Sequence, residues 1–154
     1  MSAFSPRIEA LLARAGAICE SRGAKLTDLR RHVLGLILDN VAPTGAYDLL
    51  DRLRSTRQGA APPTVYRALD FLLEQGLVHR VASLSAFVGC VDPEDETEGG
   101  HAAQFLICSR CRRVTEMEDE ALVAAMKAAA GRVGFTLSKA TIEAEGVCAE
   151  CSNQ

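Results

Sequence analysis

Two pairs of cysteines with the same spacing constrain this chain more than any other feature. Cys108 and Cys111 form the first pair, and Cys148 and Cys151 form the second, with 36 residues between the pairs. The turn in each CxxC sequence lets both sulfurs converge on one point, and four thiolates are a preferred ligand set of structural zinc. The cysteines therefore predict one zinc site that joins two distant segments.

Redox dithiols are the alternative interpretation of these cysteines. In thioredoxin-like proteins, a CxxC sequence stands at the start of a helix in a βαβ unit. Here both pairs follow strand-like segments instead, and they occur as a matched set. The spacing therefore favours a structural zinc site, with a redox thiol protein as the alternative.

The charge of the chain is divided unevenly between its two halves. Residues 1–84 carry 11 Lys and Arg against 8 Asp and Glu, whereas residues 85–154 carry 6 against 12. A basic first half beside an acidic second half indicates that the first half meets an anionic partner. Hydrophobic residues make up 48% of the chain, which is enough for a packed interior.

The sequence predicts a cytoplasmic protein with no membrane partner. Its first residues, MSAFSPRIEALLARAGAI, are amphipathic and interrupted by charge, unlike a secretion signal. No apolar run approaches the roughly 20 residues that a membrane span needs. In a reducing compartment, the six cysteines are expected to be metal ligands or buried thiols.

The first half has the pattern of several helices followed by a short hairpin. The apolar spacing is helical in four segments, and LVHRVAS and SAFVGCV then alternate as two strands. The expected helix starts are Ser5, Thr27, Thr44 and Pro62, with the first three acting as caps. This order predicts a winged helix-turn-helix domain, in which the last helix before the wing enters the DNA major groove.

The helix PPTVYRALDFLL is the expected recognition element. Thr64, Tyr66 and Arg67 fall in its first turns, from which side chains reach bases and phosphates. The alternative is a structural helix with one exposed arginine. Further positive charge comes from Arg30, Arg31, Arg52, Arg54 and Arg57.

The second half has the pattern of a small α/β unit. Residues 92–100 form an acidic connection, and strand-like segments flank the first CxxC pair. Asp119 is expected to cap a helix, and FTLSKATIEAEG then alternates as a strand before the second pair. The predicted fold class is α+β, with domains at 1–84 and 85–154 and a hinge at about 83–89.

A second group of potential ligands is scattered along the chain. The group comprises His79, Cys90, His101 and Glu116, which offer nitrogen, sulfur and oxygen donors that zinc accepts. No short motif joins them. Each could instead have no metal-binding role: His79 as a wing residue, Cys90 as a buried thiol, His101 as a loop residue and Glu116 as a solvated charge. A metal held by all four would join the two halves and couple metal occupancy to domain geometry.

Four segments together resemble the Fur family of metal-responsive bacterial repressors, and within it the zinc uptake regulators. The segments are AYDLLDRLR, PPTVYRALDFLLEQGLVHRV, FLICSRCRRV and IEAEGVCAEC. The resemblance covers nearly the whole chain and implies an N-terminal winged-helix DNA-binding domain, a hinge and a C-terminal dimerisation domain. It also implies a homodimer that binds operator DNA when loaded with zinc and represses zinc-uptake genes.

The resemblance assigns roles to individual residues. The structural zinc site matches Cys108, Cys111, Cys148 and Cys151. The regulatory zinc site matches His79, Cys90, His101 and Glu116. Tyr47 and Arg67 match positions that contact operator DNA. The resemblance thus implies two Zn²⁺ ions per chain.

Two departures from the family pattern favour two metal sites over three. The segment DPEDETEGGH holds one histidine where many relatives carry several, and Glu145 stands where histidine is common. A cysteine in the regulatory set favours zinc over Fe²⁺ or Mn²⁺.

A family sensor of iron, manganese or peroxide remains an alternative function. A zinc enzyme is the other, but catalytic zinc needs an open coordination position, and neither predicted site shows one.

Overall fold

This computed structural model of the chain describes residues 4–40, 42–91 and 103–154. The chain divides into two compact units, Met1–Asp95 and Glu96–Gln154. The first unit contains α1 (Pro6–Ser21), α2 (Asp28–Leu38), β1 (Thr44–Gly45), α3 (Ala46–Arg54), α4 (Pro62–Glu74), β2 (Val78–Val81) and β3 (Ala86–Gly89). The second unit contains β4 (Ala103–Cys108), β5 (Val114–Met117), α5 (Glu120–Arg132), β6 (Thr141–Gly146) and α6 (Ala149–Ser152).

Three of the four expected helix starts in the first unit are confirmed. The Ser5 hydroxyl accepts the Ile8 N–H at 3.4 Å at the start of α1, and the Thr27 hydroxyl accepts the Arg30 N–H at 3.5 Å at the start of α2. The third is α4, which begins with two prolines whose fixed φ suits a first helical turn. Local chemistry alone therefore defines these ends.

The expected cap at Thr44 is wrong. Thr44 lies in β1, where it pairs with Phe87 of β3, and its side chain accepts a hydrogen bond from Asn40 Nδ2 at 3.1 Å. Gly45 is the residue that precedes α3, and it makes no side-chain cap. The strand pairing directs the Thr44 hydroxyl into the interior, where only 1% of the residue is exposed, and removes it from the helix end.

The wing is a three-stranded antiparallel sheet with the order β1-β3-β2. A short 3-10 turn joins β2 to β3, as the hairpin pattern predicts. Apolar side chains from the four helices and from the wing form one core, mostly aliphatic because the chain has few aromatic residues. Within the described ranges, no helix is long and apolar enough to cross a membrane.

The division between the units lies further along the chain than the sequence suggests. The expected boundary after residue 84 and the expected hinge at 83–89 both fall inside the first unit. The reason is that β3 pairs with β2 along its whole length, which makes residues 86–89 part of the wing.

The second unit is a three-stranded mixed sheet with the order β5-β4-β6. Asp119 caps α5 as expected, because its Oδ1 accepts the N–H groups of Ala121 at 2.8 Å and Leu122 at 3.3 Å. The last strand begins at Thr141, so the expected strand from Phe135 is shorter than its sequence pattern. The short helix α6 is an element that the sequence did not predict.

Two side chains that the sequence leaves unassigned belong to the packing of the first unit. Cys19 is fully buried in the core, and burial raises the pKa of its thiol. His32 meets the edge of the Phe4 ring, and burial followed by the charge of Arg57 lowers its pKa. Neither belongs to a cluster of potential metal ligands among the described residues.

Truncation of Leu34 tests the core. This side chain of α2 is fully buried, and Leu→Ala substitutions at such positions cost about 2–5 kcal/mol. We expect Leu34→Ala to lower the free energy of unfolding in urea by that amount. The control is Glu20→Ala, because Glu20 is exposed on α1 of the same unit; its effect should stay below about 0.5 kcal/mol. Equal effects of the two substitutions would contradict the core assignment.

Candidate metal centres and nucleic-acid interface

The four cysteines of the two CxxC pairs come together in the second unit. Their sulfur atoms all lie within 4.8 Å of one another, and the Sγ atoms of Cys111 and Cys148 are 3.8 Å apart. A tetrahedral zinc ion with Zn–S bonds of about 2.3 Å holds its sulfurs about 3.8 Å apart. The donor set and its spacing therefore fit a structural zinc ion.

Parallel pairing of β4 with β6 brings the two cysteine pairs together. Cys108 at the end of β4 lies opposite Gly146 at the end of β6, so Cys148 follows two residues later beside Cys108. After Cys108 the chain turns back into β5 through Arg112, whose φ of 63° is left-handed. The Arg112 N–H donates to the Cys108 carbonyl at 2.9 Å and closes this turn.

Hydrogen bonds that do not involve sulfur also join the two turns. The Ser109 N–H donates to the carbonyl that ends β6 at 2.9 Å, and Arg110 donates to the Cys151 carbonyl at 2.8 Å. Arg113 forms an ion pair with Glu150 of α6 at 2.9 Å. These contacts link the turn after β4 to the segment after β6, so they hold the two CxxC turns in register without a metal.

Two of the four thiols have pKa values shifted in opposite directions. Hydrogen bonds from the backbone of Cys111, and then of Cys148, lower the pKa of Cys108 to about 6. The pKa of Cys151 is raised to about 12, chiefly because its thiol hydrogen-bonds to Cys148. Cys108 is therefore a thiolate near neutral pH, whereas Cys151 gives up a proton when a cation binds.

The wing brings together two of the four donors predicted for the second site. His79 of β2 lies opposite Val88 of β3, and Cys90 follows two residues later on the same face. The ligand atoms of His79 and Cys90 lie within 4.8 Å of each other, and the Nε2 atom of His79 is buried. A hydrogen bond from the Cys90 N–H to the Leu77 carbonyl at 2.8 Å fixes the main chain there. This nitrogen and sulfur pair suits zinc.

The other two predicted donors stay predictions. Glu116 lies on β5 of the second unit, opposite Phe105 of β4. His101 lies outside the described residues.

The predicted DNA-contacting residues lie at the starts of α3 and α4. Tyr47 is 72% exposed at the second position of α3. On α4, Tyr66 and Arg67 are exposed and Thr64 is half-buried, whereas Val65 faces the core. The first turns of both helices therefore present side chains that could reach bases and phosphates.

Four of the arginines that raise the charge of the first half are held by contacts within the first unit. Each guanidinium donates to an acceptor of that unit. The acceptors are the Lys25 carbonyl for Arg30, the Glu9 carboxylate for Arg31, the Leu36 carbonyl for Arg52 and the Ala60 carbonyl for Arg54. Arg30 also lies 3.7 Å from the centre of the Phe71 ring. These contacts therefore stabilise the first unit.

Arg80 is an exposed arginine that the sequence analysis did not single out. Arg80 lies on β2 next to His79, and its side chain is exposed. The alternation of VHRV along a predicted strand could have revealed it, since neighbouring residues of a strand face opposite sides.

Comparisons with known proteins agree with this geometry. Residues 21–145 match the model of the Ferric uptake regulator family. The chain is 45% identical over 141 residues to the zinc uptake regulation protein of Escherichia coli strain K12, covering 92% of this chain and 81% of that protein.

Two solved structures extend the likeness to the fold. A zinc uptake regulator complexed with zinc and DNA is 42% identical, with a TM-score of 0.88 and 97% of both chains covered. The structure of holo XcZur is 41% identical, with a TM-score of 0.85 and 94% and 99% of the two chains covered. The winged unit, the four-cysteine unit and these matches together show that the chain belongs to the ferric uptake regulator family.

Proposed function

We propose that this protein is a zinc-responsive transcriptional repressor that binds operator DNA as a zinc-loaded homodimer and represses zinc-uptake genes. One observation carries the proposal: a single winged unit holds both a zinc-type donor pair, His79 and Cys90, and an exposed recognition helix, α4. A metal bound at the wing would therefore act on the same compact unit that carries the proposed recognition helix. The likeness to a zinc uptake regulator solved with zinc and DNA supports this assignment.

In this proposal the four-cysteine site is structural. The second unit is small, and α5 has no buried residue, so the unit draws little stability from its own core. Zinc bound by four thiolates supplies the missing folding energy, on the order of 10 kcal/mol in small zinc domains. The hydrogen bonds between the two turns, made by Ser109, Arg110 and Arg113, keep the ligands in register.

The regulatory site in this proposal comprises the wing pair with His101 and Glu116. Zinc bound there would be coordinated by donors from both units. The wing donors hold their own positions through the β2–β3 pairing, so they present a preformed half-site. Metal occupancy then raises the population of the DNA-binding arrangement, and the apparent operator affinity rises with that population.

The second unit also carries the surface proposed for the homodimer. Large apolar side chains that would normally be buried are exposed there. They are Leu106, Met126, Val133, Phe135 and Val147. A second copy of the chain would cover such a surface symmetrically. The two α4 helices could then enter successive major grooves, about 34 Å apart.

Metal analysis tests the two-site proposal. We expect zinc-saturated protein to bind about two zinc ions per chain, one of which a mild chelator removes. Cys90→Ser should lose the removable ion and stay folded, because Cys90 lies at the end of the wing. Cys111→Ser should lose the tightly bound ion together with the folding of the second unit. The measurements are elemental analysis and circular dichroism. A single zinc per chain in both the wild type and Cys90→Ser would contradict a regulatory site at Cys90.

Operator binding as a function of zinc tests the regulatory mechanism. An electrophoretic shift assay compares zinc-loaded protein, mildly chelated protein and Cys90→Ser. We expect the zinc-loaded wild type to bind about 5–150-fold more tightly than the other two samples, the usual range of allosteric coupling. Equal affinity in all three samples would overturn the proposed zinc response.

Arg67 tests the recognition helix. An arginine that makes two hydrogen bonds to a base contributes about 1–3 kcal/mol to the preference for that base over another. Arg67→Ala should therefore lower operator affinity by about 5–150-fold while metal content and unfolding temperature stay unchanged. Arg132→Ala, which removes the same charge from α5, should leave binding as in the wild type. Unchanged binding by Arg67→Ala would rule out α4 as the reading element.

A further inference from the structure

The wing has two chemically different faces. Residues that lie opposite each other in an antiparallel pair place their side chains on the same face. Arg80 of β2 lies opposite Phe87 of β3, whereas His79 lies opposite Val88. His79 and Arg80 are neighbours in a strand, so they face opposite sides of the wing.

The face that carries Arg80 is the one that packs on the helices. Phe87 belongs to the hydrophobic core, and Gly89 approaches α2 so closely that a Cβ atom there would lie 2.4 Å from Leu38 Cδ2. β2 also packs against α4. Arg80 stands beyond the edge of this core, exposed, on the side of the wing that meets the recognition helix.

Arg80 is also available for an external partner. Several arginines of the first unit donate to carbonyl or carboxylate groups of their own unit. The guanidinium groups of Arg67 and Arg80, in contrast, make no hydrogen bond or ion pair within the described ranges. Arg80 is thus an exposed, unpaired arginine on a strand that packs against α4, and such a side chain is available to bind phosphate.

We propose that Arg80 is a DNA phosphate contact of the wing, and that its position one peptide bond from His79 links it to the regulatory site. The inference rests on the proposed function. Zinc binding at His79 and Cys90 fixes the strand that carries Arg80, so the arginine keeps its place against the backbone. Without the bound ion, β2 keeps its pairing with β3 and its packing on α4 but lacks the bond from His79 to the metal, and the contact is made for a smaller fraction of the time.

Phosphate contacts have a signature that base contacts lack. When the logarithm of the DNA-binding constant is plotted against the logarithm of the salt concentration, each phosphate contact makes the downward slope steeper by about 0.9. A phosphate contact also strengthens binding to all DNA sequences alike. Loss of Arg80 from both chains of a dimer should therefore lower the slope by about 2. Loss of Arg67 should instead weaken operator binding more than binding to unrelated DNA.

The experiment titrates zinc-loaded wild type, Arg80→Gln and Arg132→Gln against operator DNA and unrelated DNA at several salt concentrations. The control Arg132→Gln removes the same charge from the second unit. We expect Arg80→Gln to lower affinity for both DNAs by the same factor, about 10-fold or more at moderate salt, with the lower slope. Arg132→Gln should match the wild type. An unchanged slope for Arg80→Gln, or an effect on operator DNA alone, would overturn the phosphate contact.

The link to the regulatory site is tested by combining Arg80→Gln with Cys90→Ser. We expect Arg80→Gln to weaken DNA binding less in the Cys90→Ser background than in the zinc-loaded wild type. Equal factors in both backgrounds would overturn the link and leave a simple phosphate contact. Failure of the wild type to bind operator DNA with zinc would instead overturn the proposed function, so the two failures are distinguishable. Unfolding temperatures and zinc content, equal in wild type and Arg80→Gln, exclude a folding defect.

Discussion

The pairing of β4 with β6 is the constraint on which the four-cysteine site depends. The two CxxC pairs are 36 residues apart, and only this parallel register places Cys148 beside Cys108. A shift of one residue would turn the side chains of β6 to the other face and change where the following turn begins. The hydrogen bonds of Arg110 and Arg113 across the two turns oppose such a shift. The sulfurs thus converge because the sheet aligns them, and bound zinc then makes that alignment costly to lose.

In the wing, the alternation of side chains along a strand separates two kinds of residue. A protein that senses a metal and binds DNA needs its metal ligands on a surface that the DNA does not cover. Alternation along β2 puts His79 on one face with Cys90, and Arg80 on the other face beside the helices. In the proposed mechanism, one strand therefore carries a zinc ligand on one face and a phosphate contact on the other, and a displacement of its main chain moves both. In the proposed mechanism, two adjacent strands of four residues each, β2 and β3, are thus enough to couple metal binding to DNA affinity.

Features that depend on neighbours in the sequence could be predicted from local chemistry, whereas features that depend on distant pairing could be predicted only where a matched motif or the family resemblance indicated them. Ser5, Thr27 and Asp119 cap helices as their positions predict, since a cap needs only the next three residues. Thr44 has the same chemistry, but pairing with Phe87 gave it another role. The four-cysteine cluster followed from spacing, whereas His79 and Cys90 were singled out by donor type and by family resemblance. Their proximity depends on the β2–β3 register, which no short motif records.

The charge of the first half illustrates why composition indicates a partner without locating its site. Residues 1–84 have a net charge of +3, which indicated an anionic partner. The structure assigns much of the positive charge to internal contacts, such as Arg31 with Glu9 and Arg52 with the end of α2. An arginine paired with a carboxylate has its charge offset by that partner, so it gives little net attraction for phosphate. An arginine bonded to a carbonyl keeps its charge, but part of its guanidinium is already committed to the fold. In the proposed function, arginines without such a carboxylate partner, among them Arg67 on α4 and Arg80 on β2, therefore contribute more of the attraction to DNA than the net charge alone indicates.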